Sequence, residues 1–276
     1  MQDYYDVQPD EVYILGKHYT RGRGGAQIQF ITRHHLMYIG DGKAVVDRIW
    51  NTRAASAHYV IDPNGKTTQT VWDGNTAWAN ASQWANQRTI AIEHSNNTGR
   101  HPGGTDYHDK SWNISDKTLI AGARLAAALC LYYKLGRPTY GTNIRDHNEF
   151  TSTGCPVHLQ GPRAGNAWGG RAGKYHNMWM AEAQRFYDLL VAKKVRPDGT
   201  PITPPPTSSA PQIGDPMHLI RSLVNTAKSF TQDTMLALID RATWEIRVIV
   251  NELARRQGID PDAVVADAIR KDNQNG

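Results

Sequence analysis

The alternation of apolar and polar side chains picks out the strands first. The run Ile28-Gln29-Phe30-Ile31-Thr32-Arg33-His34-His35 reads as a strand that runs into polar residues, and Ala57 to Asp62 as a second. Asp62-Pro63-Asn64-Gly65 is a strong turn signal, so Lys66 to Trp72 is predicted to return as the other arm of a hairpin. Thr89-Ile90-Ala91-Ile92-Glu93 is a short β-prone run whose alternation puts Ile90 and Ile92 on one face and Glu93 on the other. Helical spacing follows. Ser115 is a natural N-cap for a helix through Leu135, stopped by Gly136 and Pro138. Within it Leu119, Ala123, Ala126, Ala127, Cys130 and Leu131 share a face, which makes Cys130 a core residue. An amphipathic helix is predicted near Asn177 to Lys193. Residues 73–88 read as a loop, in which Trp78 and Trp84 could stack on sugar rings or pack inward. His94 to Gly104 reads as another, with His101 and His108 in or near it as solvated histidines.

The pattern breaks after residue 195. Arg196 to Ser209 carries five prolines and little to bury, which predicts a semi-rigid linker over 196–214. From 215 to 276 a helical module is expected. Met235, Ile239, Ala242, Ile246, Ile249 and Leu253 recur at alternating steps of four and three, Gly258 ends that helix, and Asp260-Pro261 opens a last one to about Arg270. One clean seam in so small a unit suits self-association or a targeting role as well as a self-contained fold. The main domain is thus assigned to 1–195.

Composition narrows the class. The chain has 276 residues, 39% of them hydrophobic, a mean hydropathy of −0.57, and no continuous apolar span long enough for a membrane. Its start, Met1-Gln2-Asp3-Tyr4-Tyr5-Asp6, is acidic and aromatic and reads as lacking an export signal. The net charge of +5 is spread without a dense basic tract, which argues against nucleic acid as a partner. Arg21-Gly22-Arg23-Gly24-Gly25 lacks the Lys-Ser/Thr of a phosphate-binding loop and reads as a flexible loop. Two cysteines, Cys130 and Cys155, are too few for a disulfide framework and fit a reducing compartment.

Candidate chemistry gathers at Asp146 to Pro156, where His147 and Cys155 stand eight positions apart in a polar, turn-prone stretch. Neutral imidazole and thiolate are zinc ligands, and a catalytic zinc site takes three protein ligands and leaves a fourth position for water. The upstream donor is His34 or His35. Neighbouring side chains on a strand point to opposite faces, so one of the two reaches the ion. Glu93 ends its strand with a carboxylate suited to act as general base on a zinc-activated water.

Together these residues resemble the zinc-dependent N-acetylmuramoyl-L-alanine amidases of the type 2 amidase and peptidoglycan-recognition fold, which include many phage endolysins. The resemblance runs from about Ile28 to Tyr187. It is carried by His34-His35, the strand Ser56 to Asp62, Asn75-Thr76-Ala77-Trp78, Ile90-Ala91-Ile92-Glu93, and His147 to Cys155 followed by Pro156. The resemblance implies an α/β fold with a mixed central sheet flanked by helices. It also implies zinc on His34, His147 and Cys155, with Glu93 as catalytic acid/base. Thr153 stands near the last ligand, where its hydroxyl could bond the oxyanion or shape the loop. The chain departs from the pattern at Ala79, where many members have histidine, at Thr153, where some have lysine, and at Ala57, where others have tyrosine. The implied partner is bacterial peptidoglycan, cut between the lactyl group of N-acetylmuramic acid and L-alanine. The implied setting is a phage endolysin held in the host cytoplasm until a pore forms. The rival readings are a peptidoglycan-binding module that does not cut and a zinc peptidase acting within the stem peptide.

Overall fold

The computed structural model describes residues 7–97 and 113–195. The segment before Val7, the loop with His101 and His108, the linker expected at 196–214 and the helical module expected at 215–276 lie outside the described residues.

Among the described residues eight strands and four α-helices follow in order: β1 Glu11–Val12, β2 Tyr19–Thr20, β3 Phe30–Leu36, α1 Gly42–Val45, β4 Tyr59–Ile61, β5 Thr67–Gln69, β6 Thr76–Ala77, α2 Gln83–Arg88, β7 Thr89–Ser95, α3 Asp116–Tyr132, β8 Ile144–Asp146 and α4 His176–Val191. Six strands form the central sheet in the order β1-β5-β4-β7-β3-β8, while β2 and β6 pair separately. Only β4 and β5 run antiparallel in the large sheet, so the architecture is the mixed α/β one expected.

The β4–β5 hairpin forms where the turn signal predicts. Asp62 Oδ1 accepts the backbone N–H groups of Asn64 and Lys66, both at 2.8 Å, and Gly65 takes a left-handed φ of +85°. Ser115 caps α3 by accepting from Thr118 N–H at 3.0 Å. That helix lays Leu119, Leu125, Leu129 and Cys130 against Ile31, Tyr59, Ile90, Ile92 and Ile144 of the sheet, and α4 adds Trp179 and Phe186 to the same core. A smaller core on the opposite face joins Leu36, Val60 and Ala91 to Val45, Val46 and Trp50. Ala57 belongs to it and Ala79 packs against it, so two of the departures from the family pattern are packing positions here.

One segment differs from expectation: residues 73–88 are not all loop, since they hold β6 and α2. Val46–Trp50, to which the sequence assigned no element, is a π-helical turn continuing α1. Ser82 caps α2. Trp78 and Trp84 stay 39% and 49% exposed, with Trp84 stacked on Phe30 at 5.9 Å between centroids. The Arg21 to Gly25 loop is also pinned: Arg23, 9% exposed, donates to the carbonyls of Asp73 (2.7 Å), Gln87 (3.0 Å) and Thr89 (2.9 Å).

Candidate metal centre

The central strand β3 lies between β7 and β8, parallel to both. In the β3–β7 register His34 stands opposite Glu93 and His35 opposite His94. Paired residues of adjacent strands project to the same side, so His34 and Glu93 share one face and His35 and His94 the other. On the far side of β3, β8 ends at Asp146 and releases the chain into a short 3₁₀ turn, His147–Glu149. Glu149 fixes that turn by accepting Asp146 N–H at 2.8 Å and holding Arg145 at 2.9 Å. The loop then returns to bring Cys155 alongside.

One donor atom from each of His34, His147 and Cys155 lies within 4.8 Å of the others, and no further described residue joins the group. Two ligands on a tetrahedral zinc, at ordinary Zn–N and Zn–S lengths, lie about 3.6 Å apart. Cys155 Sγ stands 3.7 Å from His34 Nδ1, which fits that span. Both ring nitrogens of His147 are buried without a hydrogen-bond partner, as is Glu93 Oε2. Buried polar atoms left unpaired call for a further group between them. A set of two imidazoles and one thiol suits a catalytic zinc site, which takes three protein ligands.

The electrostatics point the same way. Burial holds the His34 imidazole well below its ordinary pKa and takes His147 down to about 4, so both rings are neutral ligands at neutral pH. Burial, then the nearby Glu93 charge, pushes the Cys155 thiol well above its usual value. Without a cation that sulfur keeps its proton, which metal binding must displace. The backbone N–H of His35 points at Sγ from 3.4 Å and favours the thiolate. Burial raises the Glu93 carboxyl to about 8, against an opposing pull from Arg53.

Of the residues singled out in the sequence, His34, His147, Cys155 and Glu93 therefore come together, and His35 turns away toward His158, 6.4 Å off between ring centroids. Thr153 is close in chain but its hydroxyl oxygen accepts Cys155 N–H at 3.3 Å, which shapes the ligand loop. Sequence reading missed three neighbours. Arg53 lends positive charge to both Glu93 and His147. Buried Asn80 brings its amide toward the His34 ring. His94, expected in a loop, is buried in β7, where it accepts Trp179 Nε1–H at 3.0 Å and reaches the His34 carbonyl through Nδ1 at 2.9 Å. Its place directly after the apolar alternation of β7 was the available signal.

Comparison with known proteins adds the following. The family model described as N-acetylmuramoyl-L-alanine amidase matches residues 18–158, just over half of the 276-residue chain. Among solved structures, PlyL aligns at 16% identity and a TM-score of 0.46, covering 64% of this chain and 97% of that one. The PlyG catalytic domain aligns at 17% and 0.45, covering 71% and 98%. The Staphylococcus aureus hydrolase AmiA, in complex with its ligand, aligns at 16% and 0.40, covering 66% and 85%. No curated protein matches. With the family model spanning every strand from β2 to β8 and all four candidate residues, the chain belongs to the N-acetylmuramoyl-L-alanine amidase family.

Proposed function

We propose that this chain is a zinc-dependent amidase that hydrolyses the bond between the lactyl group of N-acetylmuramic acid and L-alanine in bacterial peptidoglycan. The observation that carries the reading is the convergence of His34, His147 and Cys155 beside a carboxylate, Glu93, on the adjoining strand. Those three residues would hold zinc, which when bound polarises a carbonyl and acidifies water at its open position. Glu93 takes the proton of the attacking water. As the water oxygen bonds to the amide carbon and the C–N bond breaks, Glu93 returns that proton to the departing L-alanine nitrogen. The buried, otherwise unpartnered Oε2 of Glu93 suits a carboxyl that must hold and release a proton near neutral pH. Thr153 steers Cys155, and its hydroxyl hydrogen is available to an oxyanion. Phe30 shares the face of His34 by strand parity, and Trp84, stacked on it, offers an aromatic surface for a sugar ring.

The wider role we infer is that of a phage endolysin acting on the host wall after a pore lets it through. The Pro-rich stretch and the separate apolar seam of the sequence suit a catalytic unit tethered to a second module.

Metal analysis of the purified chain, paired with mass spectrometry of digested muramyl peptides, tests the activity. The expected result is one zinc per chain and new L-alanine amino termini that disappear with chelator. Cuts within the stem peptide, or none, sink the assignment. Zinc removal should also lower the melting temperature, because a ligand bound only by the folded chain stabilises it. Expression in a bacterium with and without a pore-forming protein tests the lytic role, and lysis is expected only with the pore.

A further inference from the structure

We propose that Asp146 is a positioning residue for the metal centre, one buried carboxylate that ties together the three stretches of chain bearing His34, His147 and Cys155. The inference rests on the metal reading above and adds a residue to it.

Asp146 immediately precedes His147. Its Oδ1 accepts Nε–H (2.9 Å) and Nη2–H (2.7 Å) from Arg33, the residue before His34. Its Oδ2 accepts the backbone N–H of Gly161 at 2.7 Å. Gly161 follows Gln160, whose side-chain amide donates to the carbonyl of Gly154, the residue before Cys155. Every ligand is thus one residue removed from a network centred on this carboxylate.

The network lies on the helix-packed face, opposite the ligands. Both Arg33 and Asp146 side chains are 0% exposed. The guanidinium sits 4.9 Å from the Trp179 ring and 5.4 Å from that of Tyr140, with Nη2 3.1 Å from His176 Nδ1. For stability alone an apolar pair of the same size serves as well, because desolvating two charges offsets most of their attraction. What a buried pair supplies is registry. The β3–β8 ladder has only three paired positions, Ile31 with Ile144, Thr32 with Arg145 and Arg33 with Asp146. A slip of one residue turns every side chain to the other face. It would also separate Arg33 from Asp146 in a dry core, so the pair fixes the one alignment that brings His34 and His147 together.

The test is zinc affinity, measured by competition with a chromophoric chelator, together with the thiolate charge-transfer band of the cobalt-loaded protein. Asp146→Asn keeps the shape and one acceptor but loses the charge. It should remain folded by circular dichroism, bind zinc about 10- to 100-fold more weakly, as loss of an outer-shell partner does elsewhere, and show an altered cobalt band. Glu182→Gln serves as control, since it weakens the pairs of Glu182 with Arg124 and Arg185, which share no hydrogen bond with the Asp146 network, and should lower the melting temperature with zinc affinity unchanged. Arg33→Lys, which keeps the charge but not the fork, should lie between wild type and Asp146→Asn. Folded Asp146→Asn with wild-type affinity and spectrum overturns the proposal, as does an equal loss of affinity in Glu182→Gln. If neither Asp146→Asn nor Arg33→Lys folds, the pair belongs to folding alone and the proposal falls. A wild-type chain that binds no zinc removes the metal reading and this role together, whereas zinc retained equally by wild type and variant removes this role only.

Discussion

A missing methyl group at position 122 lets His94 stand behind the ligand strand. A Cβ there would lie 2.2 Å from His94 Nε2, the atom that accepts the Trp179 indole N–H. Gly122→Ala must push the ring away from Trp179 or from the His34 carbonyl, so it should cost about 1–3 kcal/mol as an overpacked core site does, read as a lower denaturant midpoint. Glu93 presents the opposite case, a residue the fold would be better without. Its folded pKa, about 8, stands above the ordinary carboxylate value because burial penalises the charge. Ionisation therefore weakens the metal-free fold progressively as pH rises from about 4.5 toward 8. Glu93→Gln should unfold at a higher denaturant midpoint than wild type at pH 7, with the advantage shrinking as pH falls toward 4.5. Glu93→Ala should keep its zinc yet lose turnover, and a fully active variant would take Glu93 out of the mechanism.

Among the elements, α3 is the one whose limits the sequence states most clearly. Ser115 donates to the carbonyl of Pro63 at 2.6 Å as well as capping the helix, which links the helix start to the β4–β5 turn. Ser115→Ala should therefore destabilise by about 1–2 kcal/mol, toward the upper end for a lost N-cap, as measured by chemical denaturation. Strands β3 and β7, buried on both faces, were legible from their β-branched and apolar runs, and the β4–β5 turn because few residues tolerate its geometry. The π-helical Val46–Trp50 was not, since a short apolar run has no period of its own to read. Helix α2 was hidden by its amide-rich composition, although Ser82 marks its start. At the site the three clustered residues were legible as candidate ligands from their types and zinc-like spacing. Choosing between His34 and His35 needed strand parity together with the family pattern. Arg33 gave no such sign: a charge in a strand ordinarily reads as a solvent-facing position, and its partner lies 113 residues away on a strand paired through the fold.

For the whole molecule, the buried histidines set the response to acid. His58 and His94, neither of them a proposed ligand, are held to about 3 and about 4, chiefly by burial. The unfolded chain takes up those protons near pH 6.5 while the folded chain refuses them until pH 3–4. Their effect on stability is nil above about 6.5, and below it the metal-free protein should lose about 1.4 kcal/mol per pH unit for each such ring. Denaturation midpoints measured from pH 7 to 5 should show that fall, and His94→Gln should flatten the slope by one proton. Among the described residues no helix is long and apolar enough to cross a membrane.

The parallel setting of β3 between its two neighbours also bears on when during synthesis the candidate site can come together. Strands that run side by side in one direction cannot be joined by a tight turn, so the sulfur enters 121 positions after the first imidazole. A nascent polypeptide still short of β8 holds one arm of the claw and nothing to close it on. The three-residue cluster proposed to hold zinc therefore cannot assemble until translation has passed Cys155, and shorter products of the same message lack it.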